Sequence, residues 1–244
     1  MASRKSEKIL IFRVFAFLLI PFLELTGRYR LHGTENLPDE GAVVVSPNHY
    51  SDIDPLVIGY SMYQRGRMPR FLAKASLFRV PVFGWMLRKA GQVPVERTGG
   101  SGADPLAAAR RIAAAGHAVV IYPEGTLTRD PDLWPMRGKF GAVRTALDAG
   151  IPLIPVVSWG AQRILPRYGR LSLLPRKDLD IVFGPPLDLS EFEGRSTDAK
   201  ALAEATLKLM NTLAAMLGEL RGETPPEHRW DPAEHGQSEI GRFQ

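Results

Sequence analysis

The chain has 244 residues, of which 45% are apolar and 23% charged, and its formal net charge is +5. This composition excludes a disordered or low-complexity chain and fits one α/β domain with an accessory segment at either end. The absence of cysteine excludes disulfides, thiolate nucleophiles and cysteine-ligated metals, and it favours a cytoplasmic location. The five histidines are scattered without metal-ligand spacing, so we expect no metal site.

The first predicted element is an apolar N-terminal segment, residues 9–25. Its uninterrupted part, before Pro21, would form a helix about 18 Å long, shorter than the roughly 30 Å of a bilayer core. Basic residues flank the segment on both sides, as expected for a helix that lies within one leaflet. We predict monotopic insertion at the cytoplasmic face of the cell membrane through this segment, which makes residues 1–28 a membrane-associated region. A single span and a helix buried against the domain are the alternatives.

From Tyr29 onward, short apolar runs alternate with helical patterns, which is typical of a mostly parallel sheet covered by helices. The predicted strands are residues 29–33, 42–46, 70–73, 92–95, 118–122, 153–158 and 179–183. The predicted helices are residues 104–115, 138–149 and 198–220. The pattern therefore predicts an α/β domain over residues 29–220 and a polar tail, residues 221–244, which we expect to be mobile.

Positive charge is concentrated in two stretches of this domain. Residues 61–97 contain eight basic side chains and one acidic side chain, and a second basic stretch runs from Arg163 to Lys177. Such clusters suit phosphate groups, anionic lipid or nucleic acid, and charge alone does not choose among them. Nucleic acid is the weakest of the three because no recognition motif or aromatic platform accompanies the basic runs. We predict an anionic membrane leaflet as a partner and no nucleic acid.

A histidine and a carboxylate five residues apart follow the predicted strand 42–46. On a continuous helix this spacing would put the two side chains about 140° apart, so His49 and Asp54 can meet only if Asp54 begins the next helix. Pro55 favours such a start. Asp54 would then accept the imidazole Nδ1 hydrogen and leave Nε2 as a general base for an alcohol. A helix-capping role for Asp54 is the alternative.

Other polar residues follow other predicted strands, and the carboxyl ends of parallel strands share the edge at which α/β sheets bind ligands. Glu124, Gly125 and Thr126 form a turn suited to a polyol or a phosphate, with a purely structural turn as the alternative. Lys74 and Arg97 are candidate phosphate partners, Arg97 through bidentate contacts.

Ser51 lies between the histidine and the aspartate and invites comparison with a serine nucleophile. The chain contains no Gly-x-Ser-x-Gly elbow, and three residues of one loop do not give the geometry of a catalytic triad. We therefore expect Ser51 to make a turn or capping hydrogen bond.

Four blocks of the chain, in order, resemble the motifs of phospholipid-biosynthetic acyltransferases of the 1-acylglycerol-3-phosphate acyltransferase type. The blocks are residues 48–55, 91–97, 122–126 and 151–156. The resemblance covers about residues 29–183. It implies the fold of the glycerolipid acyltransferases, an apolar groove for the acyl chain and an entrance that faces the membrane.

The resemblance also implies roles for individual residues. His49 would be the general base, Asp54 would orient it, Arg97 would bind the substrate phosphate, and Glu124 would help to bind the glycerol moiety. The third block departs from the family pattern, because Arg129 lies two positions later than the arginine that often follows the threonine. The resemblance therefore assigns no phosphate contact to Arg129.

The function implied is transfer of a fatty acyl group from acyl-CoA or acyl carrier protein to the free hydroxyl of 1-acylglycerol 3-phosphate, giving phosphatidic acid. Glycerol 3-phosphate and other lysophospholipids or glycolipids are alternative acceptors. No cofactor is expected, since the thiolate of the donor is a good leaving group. An alternative of another class is a non-catalytic lipid-binding protein at the membrane surface, which would not need both His49 and Asp54.

Overall fold

The structure, a computed structural model, describes residues 10–95 and 105–238. The strands within these ranges are β1 Gly27–His32, β2 Val43–Pro47, β3 Arg70–Lys74, β4 Val93–Val95, β5 Ala118–Val120, β6 Leu153–Trp159 and β7 Lys177–Phe183. The helices are α1 Leu10–Thr26, α2 Asp54–Gln64, α3 Phe83–Lys89, α4 Pro105–Ala114, α5 Gly141–Ala149 and α6 Ala199–Arg221. The strands form one sheet in the order β1-β7-β6-β2-β5-β3-β4.

The sheet is mostly parallel, as the alternating sequence pattern predicted. Strands β2 to β6 all run in one direction. Strand β7 is antiparallel to β6, and β1 is parallel to β7. The amino ends of β1 and β7 therefore lie at the same edge as the carboxyl ends of the other five strands. We call this the carboxyl edge; Pro47, Lys74, Val120 and Trp159 end their strands there.

The apolar core lies on both faces of the sheet. In β2, Val44 packs into a cluster that includes residues of α4, α5 and α6, such as Leu209. Its neighbours Val43 and Val45 point to the opposite face and pack with residues of α2, such as Ile58. Because both faces are covered, the central strand is a continuous apolar run rather than an alternating one.

Helix α5 begins at Gly141, three residues later than the sequence pattern predicted. The preceding segment passes so close to α6 that a Cβ on Gly138 would lie 2.6 Å from Met210 Sδ. The backbone N–H of Lys139 also donates to the Pro123 carbonyl at 2.7 Å. This segment is therefore held by tertiary contacts instead of a helical turn. Asp104, the first residue of the predicted helix 104–115, lies outside the described residues.

Helix α1 continues through Pro21 and ends at Thr26, directly before β1. The Tyr60 hydroxyl of α2 donates to Glu24 Oε1 at 2.9 Å and attaches the end of α1 to the domain. Several large apolar side chains of α1 are exposed: Phe17, Phe22 and Leu25. Within residues 10–95 and 105–238, no helix has the length and apolar character needed to cross a bilayer.

Arg221, the first residue of the predicted tail, ends α6, and residues 222–238 of that tail contact the segment before α5. The backbone N–H of Arg137 donates to the Trp230 carbonyl at 2.8 Å. The Arg137 guanidinium pairs with Asp231 at 2.8 Å. Asp231 also caps the short 3₁₀ helix Pro232–His235. These contacts connect the tail to the chain that follows β5.

Candidate active site

The first site residue lies in the loop that follows β2 at the carboxyl edge. His49 Nδ1 lies 2.9 Å from Asp54 Oδ2, and Asp54 is the first residue of α2. The carboxylate partner makes Nδ1 the protonated nitrogen and leaves Nε2 as the basic nitrogen. The structure thus brings together the pair that sequence spacing nominated, in the geometry that the spacing required.

Asp54 also fixes the loop that carries the histidine. Its side chain is fully buried, and the same Oδ2 atom accepts the backbone N–H groups of Tyr50 and Ser51, both at 2.8 Å. One carboxylate oxygen therefore binds the imidazole and two successive amides. Because charge-assisted hydrogen bonds are the stronger kind, this arrangement restricts the loop as well as the ring.

The imidazole is held on its face by an aromatic side chain. The ring of Tyr122, in the turn after β5, stacks on His49 with the centroids 4.1 Å apart and an interplanar angle of 29°. Tyr122 is partly buried with its hydroxyl enclosed, and burial followed by the Asp54 charge raises the pKa of that hydroxyl well above the ordinary value. Sequence reasoning gave this tyrosine no role, although its place at the head of the third block was an available signal.

Glu124 connects the loop after β2 to the loop after β5. Its Oε1 accepts the backbone N–H of His49 at 2.9 Å, and its Oε2 accepts the N–H of Met136 at 3.1 Å. The side chain is 1% exposed. Burial raises the pKa of Glu124 to about 8, although the two amide donors act in the opposite direction. The visible role of Glu124 is to hold the histidine loop, while direct contact with glycerol stays a prediction.

The turn that follows Glu124 contacts the loop that carries His49. Gly125 has a φ of 71°, which favours glycine, and the aliphatic part of Lys139 lies against it. Thr126 is buried. The backbone N–H of Thr128 donates to the His49 carbonyl at 2.7 Å. The turn is thus part of the support of His49, and substrate contact by Gly125 and Thr126 stays a prediction.

A third strand supports the histidine loop. The Asn48 amide donates to the Ser158 carbonyl at 3.2 Å and accepts the Ser158 N–H at 2.9 Å, which joins the loop to β6. The Ser51 hydroxyl is buried and donates to the Leu165 carbonyl at 2.6 Å. Ser51 therefore makes a structural hydrogen bond of the kind expected for it. The pairing of Asn48 with β6 was not foreseen, since it joins residues 110 apart in the chain.

The basic residues of the domain include the two candidate phosphate partners, Lys74 and Arg97, and several buried arginines. Lys74 ends β3 at the carboxyl edge. Arg97 lies outside the described residues. Arg129 is buried and donates to the Tyr168 hydroxyl at 3.0 Å. Arg67, within the first basic stretch, is also buried, and it donates to the carbonyl of Gly41 at 2.6 Å. At least one cation of the first basic stretch, Arg67, therefore makes a hydrogen bond inside the protein.

No group of three or more His, Asp or Glu side chains in the described part of the chain is arranged to hold a metal ion. His49 remains slightly exposed at 9%, whereas its partners Asp54 and Glu124 are enclosed. The arrangement provides one basic nitrogen, Nε2 of His49. A carboxylate binds the edge of its imidazole ring, and an aromatic ring covers the face of that ring. Such a group is suited to take a proton from a hydroxyl that reaches the carboxyl edge.

A profile of the family described as Acyltransferase matches residues 28–159, which include His49, Asp54 and Glu124. The chain belongs to the acyltransferase family. The match agrees with the resemblance drawn from the four blocks, and it covers β1 to β6 with the loops that hold the site.

Two curated relatives of this acyltransferase are both named 1-acyl-sn-glycerol-3-phosphate acyltransferase. The chain is 32% identical over 160 residues to a chloroplastic 1-acyl-sn-glycerol-3-phosphate acyltransferase of Brassica napus, covering 64% of this chain and 44% of that protein. It is 28% identical over 194 residues to a chloroplastic enzyme of the same name from Arabidopsis thaliana, covering 78% and 51%. The acyltransferase therefore spans about half the length of these relatives.

The fold of the acyltransferase also has a solved counterpart. The crystal structure of the 1-acyl-sn-glycerophosphate acyltransferase of Thermotoga maritima matches it with a TM-score of 0.68 and 24% sequence identity. The match covers 95% of this chain and 86% of that chain. At this identity the likeness establishes a shared fold.

Proposed function

We propose that this acyltransferase transfers a fatty acyl group from acyl-CoA or acyl carrier protein to the free hydroxyl of 1-acylglycerol 3-phosphate, giving phosphatidic acid. The observation that carries the proposal is the pairing of His49 Nδ1 with the buried Asp54 carboxylate at 2.9 Å, within residues matched by the family profile. The names of the curated relatives support the choice of acceptor.

The proposed reaction uses His49 as a general base. Nε2 takes the proton of the acceptor hydroxyl as the oxygen attacks the thioester carbonyl. Asp54 stabilises the imidazolium that forms, because its Oδ2 already accepts the Nδ1 hydrogen. The carbon–sulfur bond then breaks, and the departing thiolate receives the proton from Nε2. The products are the new ester and the free thiol, so the step needs no covalent enzyme intermediate.

The proposal includes the membrane as the source of the acceptor. The apolar side chains of Phe17, Phe22 and Leu25 on α1 are exposed, although water is a costly environment for them. A helix with this character and basic flanks suits insertion into one leaflet of an anionic membrane. The proposed location is the cytoplasmic face of the cell membrane.

We assign the substrate phosphate to Arg97, from the resemblance and its position near a predicted strand end, and to Lys74 from its position alone. If Arg97 binds it, Arg97→Ala raises the KM for 1-acylglycerol 3-phosphate by tenfold or more, in line with the roughly 1.5–3 kcal/mol of a charged hydrogen bond. Steady-state kinetics with varied acceptor measures the change. Arg65→Ala, in the same basic stretch, is the control, and an unchanged KM in Arg97→Ala would remove Arg97 from the phosphate site.

The experiment that tests the proposal supplies purified protein with labelled acyl-CoA or acyl carrier protein and a panel of acceptors. The panel contains 1-acylglycerol 3-phosphate, glycerol 3-phosphate and other lysophospholipids, and the products are identified by mass. We expect phosphatidic acid as the main product. Preferred acylation of another acceptor would replace 1-acylglycerol 3-phosphate as the assigned substrate. Absence of transfer to every acceptor by a folded protein would contradict the proposal.

A further inference from the structure

Two loops at the carboxyl edge expose apolar side chains beside the candidate active site. The first, residues 75–85, follows β3 and includes the first three residues of α3, and the second, residues 160–176, connects β6 to β7. Strands β3 and β6 end at the carboxyl edge and β7 begins there. Both loops therefore lie on the side of the sheet that carries His49.

The first loop has an unusually apolar exposed surface. Its large exposed side chains are Leu77 at 41%, Val80 at 48%, Val82 at 71% and Trp85 at 51%. Val82 also has a φ of 61°, a backbone region that is rare for a β-branched residue. The loop thus presents four apolar side chains to the outside within nine residues, one of them in a strained conformation.

The second loop repeats this feature on the other side of β2 in the sheet. Its large exposed side chains are Tyr168 at 53%, Leu171 at 52% and Leu174 at 69%. The two loops follow β3 and β6, which lie on opposite sides of β2 in the sheet. The histidine loop follows β2 and therefore begins between them. Two separate apolar surfaces therefore flank the candidate site.

Positive charge accompanies both surfaces. Arg79 is exposed on the first loop, Arg88 and Lys89 are exposed at the end of α3, and Arg170 and Arg176 are exposed on the second loop. The sequence contains no acidic residue between positions 65 and 95 or between positions 160 and 177. Exposed apolar side chains with a rim of cations match the apolar interior and the negative surface of an anionic leaflet.

We propose that loops 75–85 and 160–176 dock on an anionic membrane leaflet, as a contact separate from α1, so that the carboxyl edge faces the bilayer. Trp85 and Tyr168 have the amphipathic rings that favour the membrane interface. An acidic soluble protein, such as a carrier protein, would engage the cations but would leave Val82 and Leu174 in water. The membrane is therefore the favoured occupant, and the inference does not depend on the acyl transfer proposed above.

The absence of native cysteine allows a test specific to each loop. Leu77→Cys and Leu174→Cys are each labelled with a polarity-sensitive fluorophore in the full chain, and Leu207→Cys serves as the control. Leu207 is 54% exposed but lies in the middle of α6, which packs on a face of the sheet. The proteins are mixed with vesicles of phosphatidylcholine, with and without phosphatidylglycerol.

We expect a blue shift and an increase of fluorescence at positions 77 and 174 with the anionic vesicles, and neither change at position 207. Added salt should weaken the response, since part of the attraction is electrostatic. Binding of the protein to vesicles without a change at positions 77 and 174 would overturn the inference. A response to acidic carrier protein but not to vesicles would also overturn it.

Charge substitution provides a second test with the same residues. Leu77→Asp and Leu174→Asp should each weaken partition to anionic vesicles roughly tenfold or more, because a leucine loses its transfer into the bilayer. Leu207→Asp changes the net charge equally and should leave partition unchanged. Equal partition of all three variants would contradict the inference. Vesicle binding without acyl transfer would instead contradict the proposed function alone.

Discussion

At the scale of single residues, the site is defined by how tightly one imidazole is held. Asp54 binds its edge at 2.9 Å, Tyr122 covers its face, and Glu124 binds its backbone amide. A general base held in this way keeps one orientation toward an incoming hydroxyl, and orientation is a large part of what such a group contributes. The supporting side chains should therefore affect turnover through the orientation of His49.

Tyr122 offers a test of that support. Its hydroxyl is buried without a hydrogen-bond partner among the described residues, so Tyr122→Phe keeps the stacked ring and removes an unsatisfied polar group. We expect kcat within about threefold of the parent for Tyr122→Phe and at least about tenfold lower for Tyr122→Leu. Kinetics of both variants, with circular dichroism to verify folding, provide the measurement. Equal turnover of the two folded variants would show that the stack does not orient His49.

The raised pKa of Glu124 predicts how the stability of the fold depends on pH. Burial raises its pKa to about 8 in the folded chain, from an ordinary value of 4.5. Between these two pH values the folded state therefore binds more protons than the unfolded state. The stability that protonated Glu124 contributes is complete below about pH 4.5 and is lost as the pH rises through about 8. Urea unfolding across this range should show a decline in the free energy of unfolding that Glu124→Gln lacks. Parallel profiles of parent and variant would contradict the assigned shift.

The sequence was sufficient to nominate the histidine–aspartate pair of the candidate site but not to predict all of the site's geometry. The spacing of His49 and Asp54 admitted one way for the two to meet, and the structure has that arrangement. By contrast, the stack of Tyr122 on His49 and the pairing of Asn48 with Ser158 depend on which strands become neighbours. Local sequence carries little information about strand order. Long-range contacts of this kind were therefore not predictable from the residues alone.

At the scale of elements, the strands were more predictable than the connections between them. Each of the seven predicted strands overlaps an observed one, because continuous apolar runs in a sheet covered on both faces are distinctive. The late start of α5 was missed because the contact of Gly138 with Met210 overrides the local helical pattern. The reversed direction of β1 and β7 has no local signature either.

Gly160, which follows β6 at the carboxyl edge, gives a test at this scale. Its φ is 118°, and a Cβ there would lie 2.2 Å from the Asp178 carbonyl oxygen at the start of β7. We expect Gly160→Ala to lower the free energy of unfolding by roughly 2–5 kcal/mol, from backbone strain plus overpacking. Chemical denaturation measures this.

Gly150→Ala is the matched control for that substitution. Gly150 has a φ of 60°, but no atom lies within 4 Å of its added Cβ, so only the backbone strain of about 1–2 kcal/mol applies. Equal losses of stability in the two variants would show that the close approach of Gly160 to β7 is unimportant.

At the scale of the whole molecule, the direction of the strands explains why the site and the apolar loops share one side. Five strands end at the carboxyl edge and two begin there, so α1, the histidine loop and the turn at Glu124 all adjoin it. Sequence reasoning recognised the polar clusters at strand ends but not the reversal that adds α1 and the second apolar loop to the same side. A protein that takes its acceptor from a membrane would benefit from this layout.

The central claim is that His49 is the base of an acyl transfer. The most direct measurement compares His49→Ala with the parent and with His32→Ala, whose imidazole lies on the edge strand β1, using mass-resolved acyl transfer to 1-acylglycerol 3-phosphate. We predict that His49→Ala remains folded and loses about 10²- to 10⁴-fold in turnover, while His32→Ala keeps the parent rate. Turnover near the parent rate by a folded His49→Ala protein would contradict the account.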